Sequence, residues 1–161
     1  MSDDASSGAV SAAPEPSSSP RERQRAFAPP ADREVFELPL WISAEDIDAN
    51  NHVNNVVYVR WLQDAGTAHW NARFDEAVRE AWSWVCVRHE IDYRRPLTLG
   101  DAVAARTWVG QPQGARFSRF VLIEGPDGLC AQGKSDWVLV DGKTMRPARI
   151  PRWMVDPFRP K

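Results

Sequence analysis

The chain has 161 residues, of which 43% are hydrophobic and 26% charged, and its formal net charge is -2. This size and composition predict one soluble globular domain. The mild acidity gives no indication of nucleic-acid binding, which needs a basic face, and no apolar run approaches the ~20 residues of a membrane span.

Residues 1–32 differ in composition from the rest of the chain. They are rich in Ser, Ala and Pro and contain few bulky apolar side chains. Such a segment buries too little apolar surface to order itself, so we expect a disordered N-terminal tail. It also lacks the apolar segment of a secretory signal, and we therefore expect a cytoplasmic protein. Residues 33–161 are expected to form the single folded domain.

The folded part predicts one strand, one long helix and then four more strands. Residues 34–43 are strand-like, and Pro39 within them favours an edge position or a bulge. Residues 53–71 carry apolar or small side chains around most of a helical circumference, which predicts a buried helix. A short second helix is predicted at 74–81. Further strands are predicted at 84–95, 102–109, 116–124 and 129–140, with turns at 96–101, 125–128 and 141–142, and an irregular segment at 146–153.

This order of elements predicts an α+β fold. Short connections between successive strands indicate antiparallel pairing. A helix that is apolar nearly all round must be enclosed, and a curved antiparallel five-stranded sheet wrapped around one long central helix encloses it. The two cysteines, Cys86 and Cys130, lie in strand-like runs, and we expect small buried hydrophobic residues and not a disulfide framework.

Residues 46–64 join a polar loop to the long apolar helix. Two carboxylates, several amides and an imidazole are crowded at the entrance of a helix that belongs in a core. That placement is costly unless the polar groups are paired or used. We therefore predict that the active site lies here.

The same stretch resembles a motif of the hotdog-fold thioesterases. It is similar to the plant acyl-ACP thioesterases position by position, and to the 4-hydroxybenzoyl-CoA thioesterase type in its spacing, over the run Asp46-x-Asp48-x-Asn50-x-His52-Val53-Asn54-Asn55-x-x-Tyr58. A second likeness is the strand and turn Asp92-Tyr93-Arg94-Arg95-Pro96. Pro96 and Leu97 stand where the plant enzymes carry a further Glu and Cys, and the chain is long enough for one hotdog unit. The resemblance therefore implies a bacterial-type acyl-CoA thioesterase of fatty acid metabolism, a homodimer or homotetramer with its pocket at the subunit interface.

Thioester hydrolysis needs an activated water or a nucleophile, and donors for the oxyanion. Asp48, near the positive end of a helix, either deprotonates water or attacks the carbonyl itself. The free N–H groups around Asn54 and Asn55 are candidate oxyanion donors, and the resemblance assigns this role to Asn55. It also implies that Asn50 and His52 orient water or the thioester carbonyl. Asn54 and Tyr58 are expected to contact substrate.

Several alternatives remain open on the residues alone. Asp48 is equally explained as a helix cap, and His52 as a loop histidine with satisfied hydrogen bonds. His69 and His89 are expected to be packing or surface residues. No metal-ligand spacing is present, so we expect neither a metal nor another cofactor. One of five arginines, Arg88, Arg94, Arg95, Arg116 or Arg119, is expected to meet the CoA phosphates.

The expected partner is an acyl-CoA substrate with a fatty or aromatic acyl group. An acyl-ACP thioesterase and a non-catalytic acyl-CoA-binding hotdog module are the alternatives. A dehydratase or hydratase of the same fold would carry a His-Phe-Pro-Gly loop, which is absent, and Gln63 stands where its helix carboxylate is expected. A purely structural dimerisation domain is the remaining alternative.

Overall fold

The computed structural model describes residues 25–160, which form one antiparallel sheet with a long helix packed on it. The strands are β1 (Phe36–Leu40), β2 (Trp82–Tyr93), β3 (Val103–Val109), β4 (Arg116–Gly125) and β5 (Gly128–Asp141). The helices are α1 (Asn55–Arg73), α2 (Glu76–Ala81) and α3 (Arg152–Val155), with 3-10 turns at Ala44–Asp46 and Asp156–Phe158. The five strands and two helices predicted up to residue 141 are confirmed. The prediction of an irregular 146–153 segment was wrong at its end, because α3 begins at Arg152.

The sheet has the strand order β1-β3-β4-β5-β2, with every pair antiparallel. Among residues 25–160, edge strand β1 pairs only with β3, and Pro39 lies within it. A proline has no N–H to donate to a neighbouring strand, which an edge strand tolerates on its unpaired side, so the predicted edge position is confirmed. The other edge strand, β2, pairs on one side with β5 within the described residues.

A β-bulge divides strand β2. The pairing with β5 runs regularly from Trp82 to Cys86, shifts between Cys86 and Arg88, and continues to Tyr93. The extra residue changes which side chains face α1, because side chains alternate along a strand. Trp82 and Trp84 therefore share a face with His89 and Tyr93. A single uninterrupted alternation of faces therefore does not describe this strand.

Helix α1 lies on the sheet and contacts β1, β3, β4 and β5. Its buried residues include Trp61, Leu62 and Ala65, which are at most 2% exposed. The helix approaches β5 so closely that a Cβ on Gly133 would lie 2.2 Å from Leu62 Cδ2. The other side of the helix is open, with Val56 73% exposed. The expectation of a helix buried all round was wrong for the single chain, because one sheet covers one face.

The folded part begins before the predicted boundary at residue 33. The Phe27 N–H donates to Gln132 Oε1 at 3.0 Å, and Gln132 Nε2 donates to the Arg25 carbonyl at 3.1 Å. The Phe27 ring also packs edge-on against Phe120 at 5.2 Å. Residues 25–32, which were assigned to the tail, thus contact the sheet. The remainder of that prediction, residues 1–24, lies outside the described part of the chain.

The core has two clusters of buried apolar side chains. One surrounds the first half of α1 and includes Tyr58, Trp61 and Val121. The other surrounds its C-terminal end and includes Phe74 and Phe158. None of the helices within residues 25–160 has the length and apolar character needed to cross a membrane.

Candidate active site

The loop before α1 is built on the backbone of Asp48. Asp48 N–H donates to the His52 carbonyl at 2.8 Å, and Asn51 N–H donates to the Asp48 carbonyl at 3.0 Å. The side chain of Asp48 completes the turn, because its Oδ1 accepts from Asn50 N–H at 2.8 Å and from His52 N–H at 3.4 Å. Asn51 has φ of 60°, a conformation that Asn tolerates well. Asp48 thus caps a tight turn and not the helix itself.

Asp46 fixes this loop to the helix. Its carboxylate, 4% exposed as a residue, accepts from the Ser43 N–H at 2.9 Å and from Arg60 Nη2 at 2.9 Å. Burial alone would raise the pKa of Asp46, but the Ser43 and Arg60 donors outweigh it and hold the pKa below its ordinary value. The Asp46 carbonyl accepts from Asn54 N–H at 2.8 Å. Asp46 is therefore a structural carboxylate.

The entrance of α1 leaves one donor available. Asn54 is the N-cap, and its Oδ1 accepts from Val56 N–H at 3.0 Å. Both Asn54 groups expected at the site are thus engaged, its N–H by Asp46 and its side-chain oxygen by the cap. Asn55 N–H has no hydrogen-bond partner within residues 25–160. Of the two backbone N–H groups that were predicted to be free, those of Asn54 and Asn55, that of Asn55 is therefore the one still available.

A cavity of about 340 Å³ opens beside this loop. Five of the six predicted site residues line it: Asp48, Asn50, His52, Asn55 and Tyr58. Asn54, the N-cap of α1, is not among them. Asp48 is half-buried, while Asn50 and His52 are exposed at the opening.

Two tyrosines, Tyr58 of α1 and Tyr93 of β2, line the cavity. The Tyr93 hydroxyl donates to the Asn55 carbonyl at 3.1 Å, and its ring meets Tyr58 edge-on at 5.3 Å. Tyr58 is 3% exposed, and burial raises its pKa to about 12, so its hydroxyl keeps its proton at neutral pH. Tyr93 was missed as a site residue. The strand motif that contains it was the available signal.

The geometry separates the five candidate arginines. Arg94 and Arg95 line the cavity. Arg88 pairs with Glu90 on β2, Arg119 is 4% exposed in the core, and Arg116 is exposed at the start of β4, outside the cavity. Arg95 also donates to the Asp127 carbonyl in the β4–β5 turn. The guanidinium groups beside the site are therefore those of Arg94 and Arg95, which directly follow Tyr93.

The predicted burial of the cysteines holds for Cys130 and only partly for Cys86. Cys86 Sγ lies 3.3 Å from His89 Nε2, and His89 Nδ1 lies 2.7 Å from Ser135 Oγ. The bulge in β2 places these side chains on one face. Burial raises the pKa of the Cys86 thiol, which disfavours the thiolate that a nucleophile needs. This cluster is outside the cavity at Asp48.

His69 packs in the core, as expected, but it carries a polar network. It lies between Glu34, at 3.3 Å from Nε2, and Arg119, at 3.1 Å from Nδ1. Glu34 also accepts from Arg73 Nε at 2.7 Å. In the described part of the chain, no group of three or more His, Cys, Asp or Glu side chains is arranged to hold a metal ion.

Comparison with known proteins identifies the family of this chain and solved structures with the same fold. A family model described as the thioesterase-like superfamily matches residues 42–158. A Thermus thermophilus thioesterase, solved with coenzyme A and Zn, is 24% identical over 76% of this chain and 90% of its own, with a TM-score of 0.69. A Staphylococcus aureus protein solved with CoA is 18% identical over 81% and 85%, with a TM-score of 0.70. A probable thioesterase from Escherichia coli is 21% identical over 77% and 97%, with a TM-score of 0.66. No curated protein matches the chain. The predicted hotdog fold is confirmed.

Proposed function

Because the chain belongs to the thioesterase-like superfamily, we propose that it hydrolyses acyl-CoA thioesters with Asp48 as the essential carboxylate. One observation carries the proposal: Asp48 and Asn55, the residue with the unpaired N–H, line the same cavity. A carboxylate and an oxyanion donor are the two groups that thioester hydrolysis needs. The coenzyme A bound to two of the similar structures supports CoA as the carrier.

Asp48 acts on the carbonyl carbon by one of two routes. As a general base it takes a proton from water, whose oxygen adds to the carbonyl carbon. As a nucleophile its own oxygen adds, and water then hydrolyses the anhydride. In both routes the carbon–sulfur bond breaks and CoA leaves as the thiolate. The Oδ1 contacts with Asn50 N–H and His52 N–H hold the carboxylate in place for either step.

Asn55 N–H is the donor for the oxyanion. As the first residue of α1, its N–H has no carbonyl within the helix to bond. The positive end of the helix dipole adds to its effect. Removing one such donor typically costs ~10²–10³ in rate. Asn50 and His52, at the opening of the cavity, orient water or the thioester carbonyl, and Tyr58 bounds the space for the substrate.

Arg94 and Arg95 are the candidates for the CoA phosphates. Both line the same cavity as Asp48 and follow directly on Tyr93. Guanidinium groups suit phosphate recognition because their donors form a planar fork.

We also propose that the protein acts in the cytoplasm, in fatty acid metabolism, as a homodimer or homotetramer. Strand β2 supports the dimer, because it is a 12-residue edge strand with Val85 39% and Val87 48% exposed. A long edge strand with unpaired backbone groups is a template for pairing with another chain. Two-fold pairing of antiparallel β2 strands would extend the sheet across both copies.

A thiol-release assay tests the function, with free CoA trapped by a chromogenic disulfide across a panel of acyl-CoAs. Asp48→Asn is the informative variant, because the Asn oxygen still accepts from Asn50 and His52 N–H and preserves the turn. Loss of a general base typically costs 10²–10⁴-fold, so we expect kcat to fall by about that factor with little change in Tm. Asp64→Asn, at an exposed position of α1, is the matched control and should turn over normally.

The outcomes separate the alternatives. Turnover of Asp48→Asn at the rate of the unaltered protein would remove the mechanism. Hydrolysis of acyl-ACP but not of acyl-CoA would indicate the carrier-protein enzyme. Tight acyl-CoA binding without thiol release would indicate a non-catalytic module.

A further inference from the structure

The first turn of α1 is little covered by other parts of the chain. Asn55, whose N–H is the proposed oxyanion donor, is exposed, and the next residue, Val56, is 73% exposed. The ends of a helix open more easily than its middle, because they make few contacts and their first N–H groups have no partner within the helix. Hydrogen bonds from other segments are therefore needed to hold Asn55 in place.

A hydrogen bond from the end of β2 holds this turn. The Tyr93 hydroxyl donates to the Asn55 carbonyl at 3.1 Å, and both residues line the cavity at Asp48. On the other side of Asn55, the N–H of Asn54 donates to the Asp46 carbonyl at 2.8 Å. Asn55 thus lies between two points of attachment, one in the loop before the helix and one in the sheet.

The side chain of Tyr93 is itself held from several sides. Its ring meets Tyr58 edge-on at 5.3 Å, and Tyr58 is 3% exposed. Its backbone pairs with Ala131 on β5. On the other face of β2, the neighbouring Asp92 accepts from Gln132 Nε2 at 3.0 Å, and Gln132 is 1% exposed. Because a tyrosine has only two side-chain torsions, these contacts leave its hydroxyl little freedom.

The hydroxyl of Tyr93 is the donor in this contact, because a carbonyl oxygen can only accept. Burial raises the pKa of Tyr93 above its ordinary value of 10.0, so the hydroxyl keeps its proton at neutral pH. That proton is already engaged with the Asn55 carbonyl. Tyr93 is therefore suited to hold the chain in place and not to transfer a proton to the departing thiolate.

We propose that Tyr93 is a positioning residue for the oxyanion donor: its hydroxyl fixes Asn55, and with it the N–H of that residue, beside Asp48. This role rests on the proposed thioesterase function. A displacement of about 1 Å in a group that stabilises the transition state can cost ~10²-fold in rate. Loss of the hydroxyl releases one of the two attachments of Asn55, so the expected loss is smaller, about tenfold in kcat.

Tyr93→Phe tests the proposal, because it keeps the ring and its contact with Tyr58 and removes only the hydroxyl. We expect kcat on an acyl-CoA to fall about tenfold while KM stays about the same, since the oxyanion forms only in the transition state. The pH dependence of kcat should not shift, because Tyr93 exchanges no proton in the reaction. Ser118→Ala is the matched control: it removes a hydroxyl bond to Asp136 Oδ1 outside the cavity and should keep kcat.

Asn55→Pro shows whether Tyr93 acts through the N–H of residue 55. Proline removes that N–H and is favoured at the first position of a helix. The residue before a proline must be extended, and Asn54 already has φ of -60° and ψ of 139°. Asn55→Pro should lower kcat by ~10²–10³. Tyr93→Phe added to it should lower kcat no further, because the donor that it positions is gone.

Amide hydrogen exchange measures the attachment without turnover. Residues 55–59 should exchange about fivefold faster in Tyr93→Phe than in the unaltered protein, which is the factor that one neutral hydrogen bond typically contributes. Residues 61–65, where Trp61, Leu62 and Ala65 are at most 2% exposed, should exchange at the same rate in both proteins.

Three results would overturn the proposal: an unchanged kcat in Tyr93→Phe, a full tenfold further loss on the Asn55→Pro background, or unchanged exchange in the first turn of α1. If Asp48→Asn still loses activity in the first case, the thioesterase function stands and the role of Tyr93 alone is excluded. If the unaltered protein releases no thiol from any acyl-CoA, the proposed function fails, and the exchange measurement still decides whether Tyr93 holds Asn55.

Discussion

His69 should make the stability of this protein depend on pH. Its side chain is fully buried, and burial, followed by the positive charge of Arg119, lowers its pKa from 6.5 to about 4. The contacts fix the neutral form: Nδ1 accepts from Arg119 Nη1 at 3.1 Å, so Nε2 carries the proton and donates to Glu34 Oε2 at 3.3 Å. The ring also stacks on Phe36 at 4.9 Å. The fold therefore holds an imidazole that resists protonation.

The size and sign of the effect follow from the two pKa values. Below pH 6.5 the unfolded chain takes up a proton at His69 that the folded chain refuses. The contribution of neutral His69 to the free energy of unfolding is therefore complete above pH 6.5, and it is lost as the pH falls towards 4. At about 1.4 kcal/mol per pH unit, the difference corresponds to roughly 3 kcal/mol. The pKa of Glu34, lowered chiefly by Arg73, adds a further loss only below its ordinary value of 4.5.

Urea denaturation between pH 8 and pH 4.5 measures this loss as the free energy of unfolding. The unaltered protein should lose roughly 2–3 kcal/mol over that range. His69→Gln cannot titrate, so its stability, although lower at pH 8, should fall much less steeply. His52→Gln, at an exposed position, should keep the slope of the unaltered protein. If the free energy of unfolding depended equally on pH in the unaltered protein and in His69→Gln, the reasoning would be refuted.

Two further predictions concern packing and assembly. Gly133→Ala should lower the free energy of unfolding by about 1–3 kcal/mol, because the new methyl overlaps the buried Leu62 side chain; Gly110→Ala, with its nearest contacts at 3.4 Å, should cost less. Equal costs would contradict the close approach of α1 to β5. Val85→Lys with Val87→Lys should convert a dimer to a monomer in light scattering, since like charges would meet across paired β2 strands. A monomeric unaltered protein, or a dimer that tolerates both lysines, would exclude β2 pairing.

Much of this molecule was predictable from local pattern. Strand periods and turn residues predicted the five strands, and a long apolar run predicted α1 to within two residues of its start. Five of the six candidate site residues line one cavity because they are close in sequence, between Asp48 and Tyr58. Residues that are close in sequence within a tight loop or a single helical turn are also close in space. The motif therefore contained most of the site residues.

The local sequence pattern was a poorer guide to groups whose hydrogen-bond partner lies in another segment of the chain. Asn54 N–H was expected to face the substrate, but the Asp46 carbonyl takes it. Asn54 and Asn55 are alike in sequence, and only the path of the loop decides which N–H stays free. Tyr93 reaches Asn55 from a strand 38 residues away. Hydrogen bonds between such segments depend on how the sheet meets the helix.

The amino-acid sequence by itself determined the order of elements, the polar turn at the head of α1 and the carboxylate within it, because each depends on residues a few positions apart. Only the tertiary structure decided that Trp70, Trp84 and Trp137 share a cavity and that His69 lies between Glu34 and Arg119. The packing of α1 on the sheet and the register of β2, β4 and β5 produce these neighbours. Both arise from packing between segments far apart in the chain, which no local periodicity records.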